Sequence, residues 1–314
     1  MTHTATTSTP VKGVSARTRW RFRQQREPER FMAYLFIAPS LLLLTVFRFY
    51  PLVRGAYYAL TEWDGYNEPV FVGLQNFVTL FTQDDLFRAA IANTVKLLLT
   101  LPIWVIFPMI LAVLIHQEVP GWRFFRAAYF FPCVLSAVIV GSIFNMVLRI
   151  DGPLNSLLRG LGLRGLALDW LGHPTTALPA IISVAIWASF GTGVIVFLAG
   201  LGSVPPDLFD AAKIDGASWL QTLWYVTIPV LRPVIEFVAV TASMGMLTSL
   251  FGYVYVMTGG GPGTATYLPE YLIWNQQGML NRPGYASAIS VTLFFILFII
   301  AAAQVRLMAR AKED

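Results

Sequence analysis

The sequence predicts an all-α membrane protein with six transmembrane helices and both termini in the cytoplasm. Three observations carry that reading: a low charge content, six long apolar runs, and an uneven spread of Lys and Arg. Of 314 residues, 56% are hydrophobic and 12% charged, about half the charged share of soluble domains. A hydrocarbon core of about 30 Å takes roughly 20 helical residues to cross. Runs at 31–47, 97–115, 127–148, 177–202, 237–257 and 285–305 approach or exceed that length, and none contains Lys, Arg, Asp or Glu. Their continuity favours helices over barrel strands, which alternate apolar and polar over about ten residues.

The first run is the shortest, and is expected to continue past Arg48 toward Leu60 with a tilt or a kink at Pro51. Residues 61–90 read as a loop bearing Glu62, Asp64, Glu68, Asp84 and Asp85, with a turn at Asp64-Gly65-Tyr66-Asn67. The short 116–126 connection makes the second and third spans antiparallel neighbours. Residues 149–176 are rich in Gly and Leu, and a short interfacial helix fits there. The 258–284 segment opens with Thr258-Gly259-Gly260-Gly261-Pro262-Gly263, which cannot continue a helix.

Between the fourth and fifth spans, the 203–222 loop has helix signals of its own. Ser203 is a candidate N-cap, Pro205 and Pro206 suit a first turn, and Asp207 and Asp210 complement the positive helix end. Gly216 is placed to stop the helix. A helix of about ten residues is marginal alone in water. It needs a surface to dock on, and Leu208, Phe209, Ala211 and Ala212 supply apolar and small contacts.

Six crossings put both termini on one side. That side collects Lys12, Arg17, Arg19, Arg21, Arg23, Arg26, Arg30, Arg123, Arg126, Lys213, Arg306, Arg310 and Lys312; the other holds Arg88, Arg149, Arg159, Arg164 and Arg282. The basic excess marks the first side as cytoplasmic. Residues 1–30 read as a flexible basic tail that touches anionic lipid rather than as a cleaved signal, 31–308 as the six-helix membrane domain, and 309–314 as a second cytoplasmic tail. The net charge of +5 is accounted for by this topology, and no nucleic-acid partner is expected.

Cys133 stands alone, so no intrachain disulfide forms, and His3, His116 and His173 lack the spacing of a metal site. Lys12, Lys96, Lys213 and Lys312 are the only lysines, and none follows Gly, so the chain has no phosphate-binding loop. Neither a nucleophile elbow nor a clustered catalytic set is present, and the chain is not expected to be an enzyme.

Asp210-Ala211-Ala212, three residues, Gly216, nine residues and Val226-Thr227-Ile228-Pro229 resemble the EAA loop of binding-protein-dependent ABC importer permeases. Asp210 stands for the family's Glu, Val226 for Ile and Ile228 for Leu. The stretches Ile214-Asp215-Gly216-Ala217-Ser218 and Ile228-Pro229-Val230-Leu231-Arg232-Pro233 are similar to the carbohydrate branch. So are Tyr50-Pro51-Leu52, Val72-Gly73-Leu74-Gln75-Asn76-Phe77, Asn93-Thr94, Phe131-Pro132 and Leu198-Ala199-Gly200-Leu201. Gly259-Gly260-Gly261-Pro262, with Gly284-Tyr285-Ala286-Ser287-Ala288, looks like the larger permease type of maltose and glycerol-phosphate importers.

The resemblance covers about residues 30–308. It implies an ABC type I importer permease fold in a bacterial or archaeal inner membrane. It also implies a second permease subunit forming a heterodimer, two ATPase subunits that bind ATP and Mg, and an extracytoplasmic solute-binding protein. Asp210, Ala211, Ala212 and Gly216, with Pro229 behind them in the 203–229 coupling loop, are then the contact to the ATPase.

Neutral sugars call for aromatic faces and a few polar groups. Within the spans these are Asn145, Trp187, Ser189, Thr192, Ser243, Thr248, Ser249, Tyr253 and Tyr255. Ser243, Thr248, Ser249, Trp187 and Asn145 are the substrate-path candidates, against helix–helix packing as the plainer role for each. No acidic residue lies in the central runs, which argues against proton coupling. A secondary carbohydrate carrier and an ABC permease for another small solute stay as alternatives. The first leaves the spaced loop unexplained; the second leaves the Gly-rich exit unexplained.

Overall fold

The computed structural model describes residues 26–116 and 121–310. Most of the predicted N-terminal tail, the middle of the 116–126 connection and the last four residues lie outside the described residues. Two units are distinguished, residues 1–55 and 56–314.

In the first unit, α1 (Arg26–Leu44) opens inside the stretch read as a tail, and passes through a π turn, Thr45–Phe49, into α2 (Tyr50–Tyr58). The helix continues past Arg48 as expected. The wider turn falls just before Pro51, which has no N–H to donate and whose ring would crowd the carbonyl of Phe47. Leu41, Leu42 and Phe47 on this helix are exposed.

The second unit, which includes the last three residues of α2, continues with a two-stranded antiparallel hairpin, β1 (Thr61–Glu62) and β2 (Val70–Phe71), pairing Thr61 with Phe71. Asp64 accepts from the amides of Tyr66 and Asn67, both at 2.9 Å, which closes the predicted turn. These bonds favour the ionised form and hold the Asp64 carboxyl below its usual range. Asn76 then ties α3 (Gln75–Thr82) to the hairpin through the carbonyls of Ala59 and Thr61.

Two departures from expectation follow. The second span begins well before residue 97, because α4 (Asp85–Leu98) runs on through a turn into α5 (Leu101–His116), together 32 residues. Asp84 caps it by accepting from Phe87 N at 2.9 Å. Polar residues of α4 have protein partners: Asn93 donates to the carbonyls of Thr264 and Tyr267 at 2.9 and 3.1 Å. The 127–148 run, by contrast, is not one straight span. α6 (Trp122–Phe130) gives way to a 3-10 turn at Phe131–Val134 and restarts as α7 (Ala137–Val147), bent by 103°. Pro132 stops the first piece, and Ser136 caps the second at Ile139 N.

Beyond α8 (Pro153–Gly160), the interfacial-length helix expected in the 149–176 loop, α9 (Ala177–Gly202) matches its predicted bounds. It is the central helix, apolar all round, with buried residues spaced along it from Ala177 to Leu201. The loop after it carries α10 (Pro206–Ile214) and α11 (Trp219–Thr222), which a π turn joins to α12 (Ile228–Thr248). The fifth run breaks at Ser249-Leu250 and resumes as α13 (Phe251–Met257). α14 (Pro269–Trp274) and a π turn lead into α15 (Pro283–Arg310).

Among the described residues, five helices are long and apolar enough to cross a membrane, and the bent α6–α7 pair makes a sixth if taken as one broken span. Two buried clusters flank α9. Ile181, Val184 and Ala188 pack with Val140, Met246 and Val254, while Val194, Phe197 and Leu201 pack with Met109, Ala112 and Leu231. A third, with Leu80, Phe87, Leu272 and Ile289, joins α3 and α4 to α14 and α15.

Candidate functional site

Two features concentrate the polar chemistry of the second unit: the helix α10 and a cavity beside α9.

α10 forms where its sequence signals put it, with one change at the start. Pro205 is the cap position, whereas the Ser203 hydroxyl turns back to the Gly200 carbonyl at 2.7 Å and finishes α9. At the far end Gly216 adopts φ +72°, which lets Ala217 N reach the Ala212 carbonyl at 2.9 Å. A Cβ in that left-handed region is strained, so glycine fits the stop. Phe209 and Ala212 turn inward; Phe209 packs beside the second cluster and meets His116 with ring centroids 6.0 Å apart. Beneath lies a cavity of about 500 Å³ bounded by Val113, His116, Leu201, Phe209 and Trp219.

The other face of α10 is open. Asp207, Asp210, Ala211 and Ile214 are exposed, Ile214 at 85%. Asp210 pairs with Lys213 at 3.0 Å, and both side chains remain largely in solvent. Pairs of that kind contribute about 0–1 kcal/mol and leave a carboxylate free to exchange partners. Of the residues chosen from the sequence, Ala211 lies on the open face, Asp210 is exposed at the rim of the cavity beneath α10, Ala212 supports the helix from inside, and Gly216 ends it. Pro229 stands at the start of α12, directly after the π turn at Leu223–Thr227. Sequence reasoning passed over Ile214, Leu220, Trp224 and Tyr225, whose exposed apolar side chains lie on or after α10. Large apolar groups on a loop between spans were the signal available for them.

The second feature is a cavity of about 440 Å³ walled by α5, the Pro132 turn, α9, α12 and the α12–α13 break. Trp104, Ser189, Thr192, Thr241, Ser249 and Tyr253 supply aromatic and hydroxyl groups, and no Asp, Glu, Lys, Arg or His is among the described lining residues. Gly191 makes the close approach on one wall, since a Cβ there would run into the Tyr129 carbonyl and the Cys133 sulfur.

Of the substrate-path candidates, Ser249 lines this cavity. The others stand elsewhere. Ser243 is buried and exchanges hydrogen bonds with Gln304 at 3.0 to 3.2 Å. The Thr248 hydroxyl donates to the Met244 carbonyl at 2.9 Å. Trp187 borders a separate groove with Phe144 and Trp170. Asn145 donates to the carbonyls of Val256 and Met257 at 3.2 and 2.8 Å. Ser189 and Thr192, polar groups of the fourth span that were not among the chosen five, take the positions on the wall. Arg232 and Glu236, four apart on α12, pair at 3.1 Å.

Known proteins agree with this architecture. The chain is 36% identical to the multiple sugar-binding transport system permease protein MsmF of Streptococcus mutans serotype c, over 88% of this chain and 95% of that protein. It is 33% identical to the lactose transport system permease protein LacF of Rhizobium radiobacter, over 85% and 89% respectively. Among solved structures, a chain of a bacterial ABC transporter involved in the import of the acidic polysaccharide alginate superposes with a TM-score of 0.79 at 26% identity, covering 92% of this chain and 99% of that one. The binding-protein-dependent transport system inner membrane component family matches residues 79–312, and the chain belongs to that family.

Proposed function

We infer that this chain is the permease subunit of an ATP-driven carbohydrate importer, with α10 as its docking element for a separate ATPase. The observation that carries the reading is the open face of α10. A short helix braced from within by Phe209 and Ala212 presents Asp207, Asp210, Ala211 and Ile214 outward, in a loop between two spans. An apolar side chain as exposed as Ile214 in such a loop calls for a protein partner. Closure of that partner would push on α10, and through it on α9 and α12, which wall the cavity. A rigid lever of this kind biases one arrangement of the spans against another.

The cavity suits a neutral, hydroxyl-rich solute: aromatic and hydroxyl groups line it, with no fixed charge to hold an ion. A second permease subunit completes the path, a solute-binding protein delivers the sugar, and ATP and Mg bind to the partner ATPases. The loop carrying α10 lies in the cytoplasm, with both termini. The reading is tested by ATP-dependent uptake of a labelled oligosaccharide panel into vesicles. Ile214→Glu should abolish uptake at an unchanged level of chain in the membrane; undiminished uptake would remove α10 from the mechanism.

A further inference from the structure

The break in the fifth span is held by side chains from two other elements. α12 ends at Thr248 and α13 starts at Phe251, so the first amides of α13 have no carbonyl one turn earlier to bond. Glu270, at the start of α14, accepts from Phe251 N at 2.8 Å through Oε2, and its carboxylate also receives the Leu250 amide. At the other end of α13, Asn145 from α7 takes the carbonyls of Val256 and Met257. Between these ties the aromatic rings interlock: Trp274 lies 5.9 Å from Phe251 and 4.9 Å from Tyr255. The opposite side of this seven-residue helix, with Leu250, Tyr253 and the adjoining Ser249, is cavity wall.

We propose that Glu270 is a positioning residue for the central cavity, fixing the wall formed by Ser249, Leu250 and Tyr253 by holding the free amides of α13. It does not line the cavity itself. Its carboxylate is a half-buried acid that the docking of α10 and the chemistry of the cavity leave unused. The wall geometry stands on these bonds alone; its consequence for transport rests on the cavity being the solute path.

Cys133 is the chain's one cysteine and lies on the same cavity, so it reports on that wall without any added label site. The rate at which a small methanethiosulfonate reagent modifies Cys133 is to be followed by peptide mass spectrometry in the purified full-length chain with its co-purifying subunits. Wild type is compared with Glu270→Met, which keeps the volume but has no acceptor, and Glu270→Gln, whose amide oxygen accepts the same N–H groups. Removal of a cap should shift the rate about fivefold in the Met variant, with Gln within about twofold of wild type. Equal rates in all three, or equal shifts in Met and Gln, would overturn the proposal. Hydrogen exchange in wild type gives a second reading that no folding failure can spoil. The Phe251 amide should be protected, and free exchange there would also overturn it. Wild-type uptake by a Thr192→Trp variant would sink the cavity as solute path and leave the Glu270 result standing.

Discussion

Asn145 shows at the scale of one residue what the sequence reveals and what it hides. An amide inside an apolar run is conspicuous, so it was legible as special. Its partners, the carbonyls of Val256 and Met257, lie 111 and 112 residues away and could not be read from local pattern. Asn145→Ala leaves those groups unpartnered beside the end of α13, and a loss of about 1–3 kcal/mol is expected, read as a lower unfolding temperature in detergent. Glu270 was not singled out for the same reason: its target amides sit at a helix break that only the fold displays. Burial outweighs the two amide bonds and raises its pKa from 4.5 to about 7. The folded state therefore binds the proton more tightly than the unfolded one. The stability this gives is fully present below pH 4.5 and is lost as pH rises through about 7. Glu270→Gln removes that titration. The unfolding temperature of wild type, measured against Glu270→Gln, should fall across this window, and a constant difference would contradict the assignment.

Elements were most legible where apolar content was unbroken. α9 has its predicted bounds because no Pro or charge interrupts it after the first turn. α10 has its predicted stop because Gly216 alone in that stretch takes a left-handed backbone readily. The 127–148 run misled because apolarity says nothing about direction, and Pro132 turned the chain within it. Likewise the polar half of the second span looked like loop until Asn93 found carbonyls in the 258–268 segment. Helix contacts make a prediction of their own. Gly191→Val puts a branched side chain where the Tyr129 carbonyl and Cys133 sulfur already sit. Overpacking of that sort costs about 1–3 kcal/mol, and the variant should unfold at lower temperature than Gly245→Val, whose Cβ position meets nothing within 4 Å.

At the scale of the whole molecule, the exposed apolar surface follows from where the chain lives. Phe294, Phe298 and Ile299 on α15 are each about half exposed or more, as lipid or a second subunit requires. Family and general function were legible in the sequence because the 203–229 loop has fixed spacing. The cavity was not, since its wall gathers Trp104, Cys133, Thr192 and Ser249 from four separate segments. Filling it with Thr192→Trp should abolish uptake while leaving assembly intact, measured as transport per assembled complex.

The central claim is that a separate ATPase docks on α10. Its most direct test is affinity purification of the chain from detergent-solubilised native membranes, comparing wild type with Asp210→Arg. The account predicts that an ATPase and a second permease accompany wild type, and that Asp210→Arg retains the permease and loses the ATPase. A wild-type chain that comes down alone, under conditions that preserve other membrane complexes, would contradict it and favour a carrier that works without ATP.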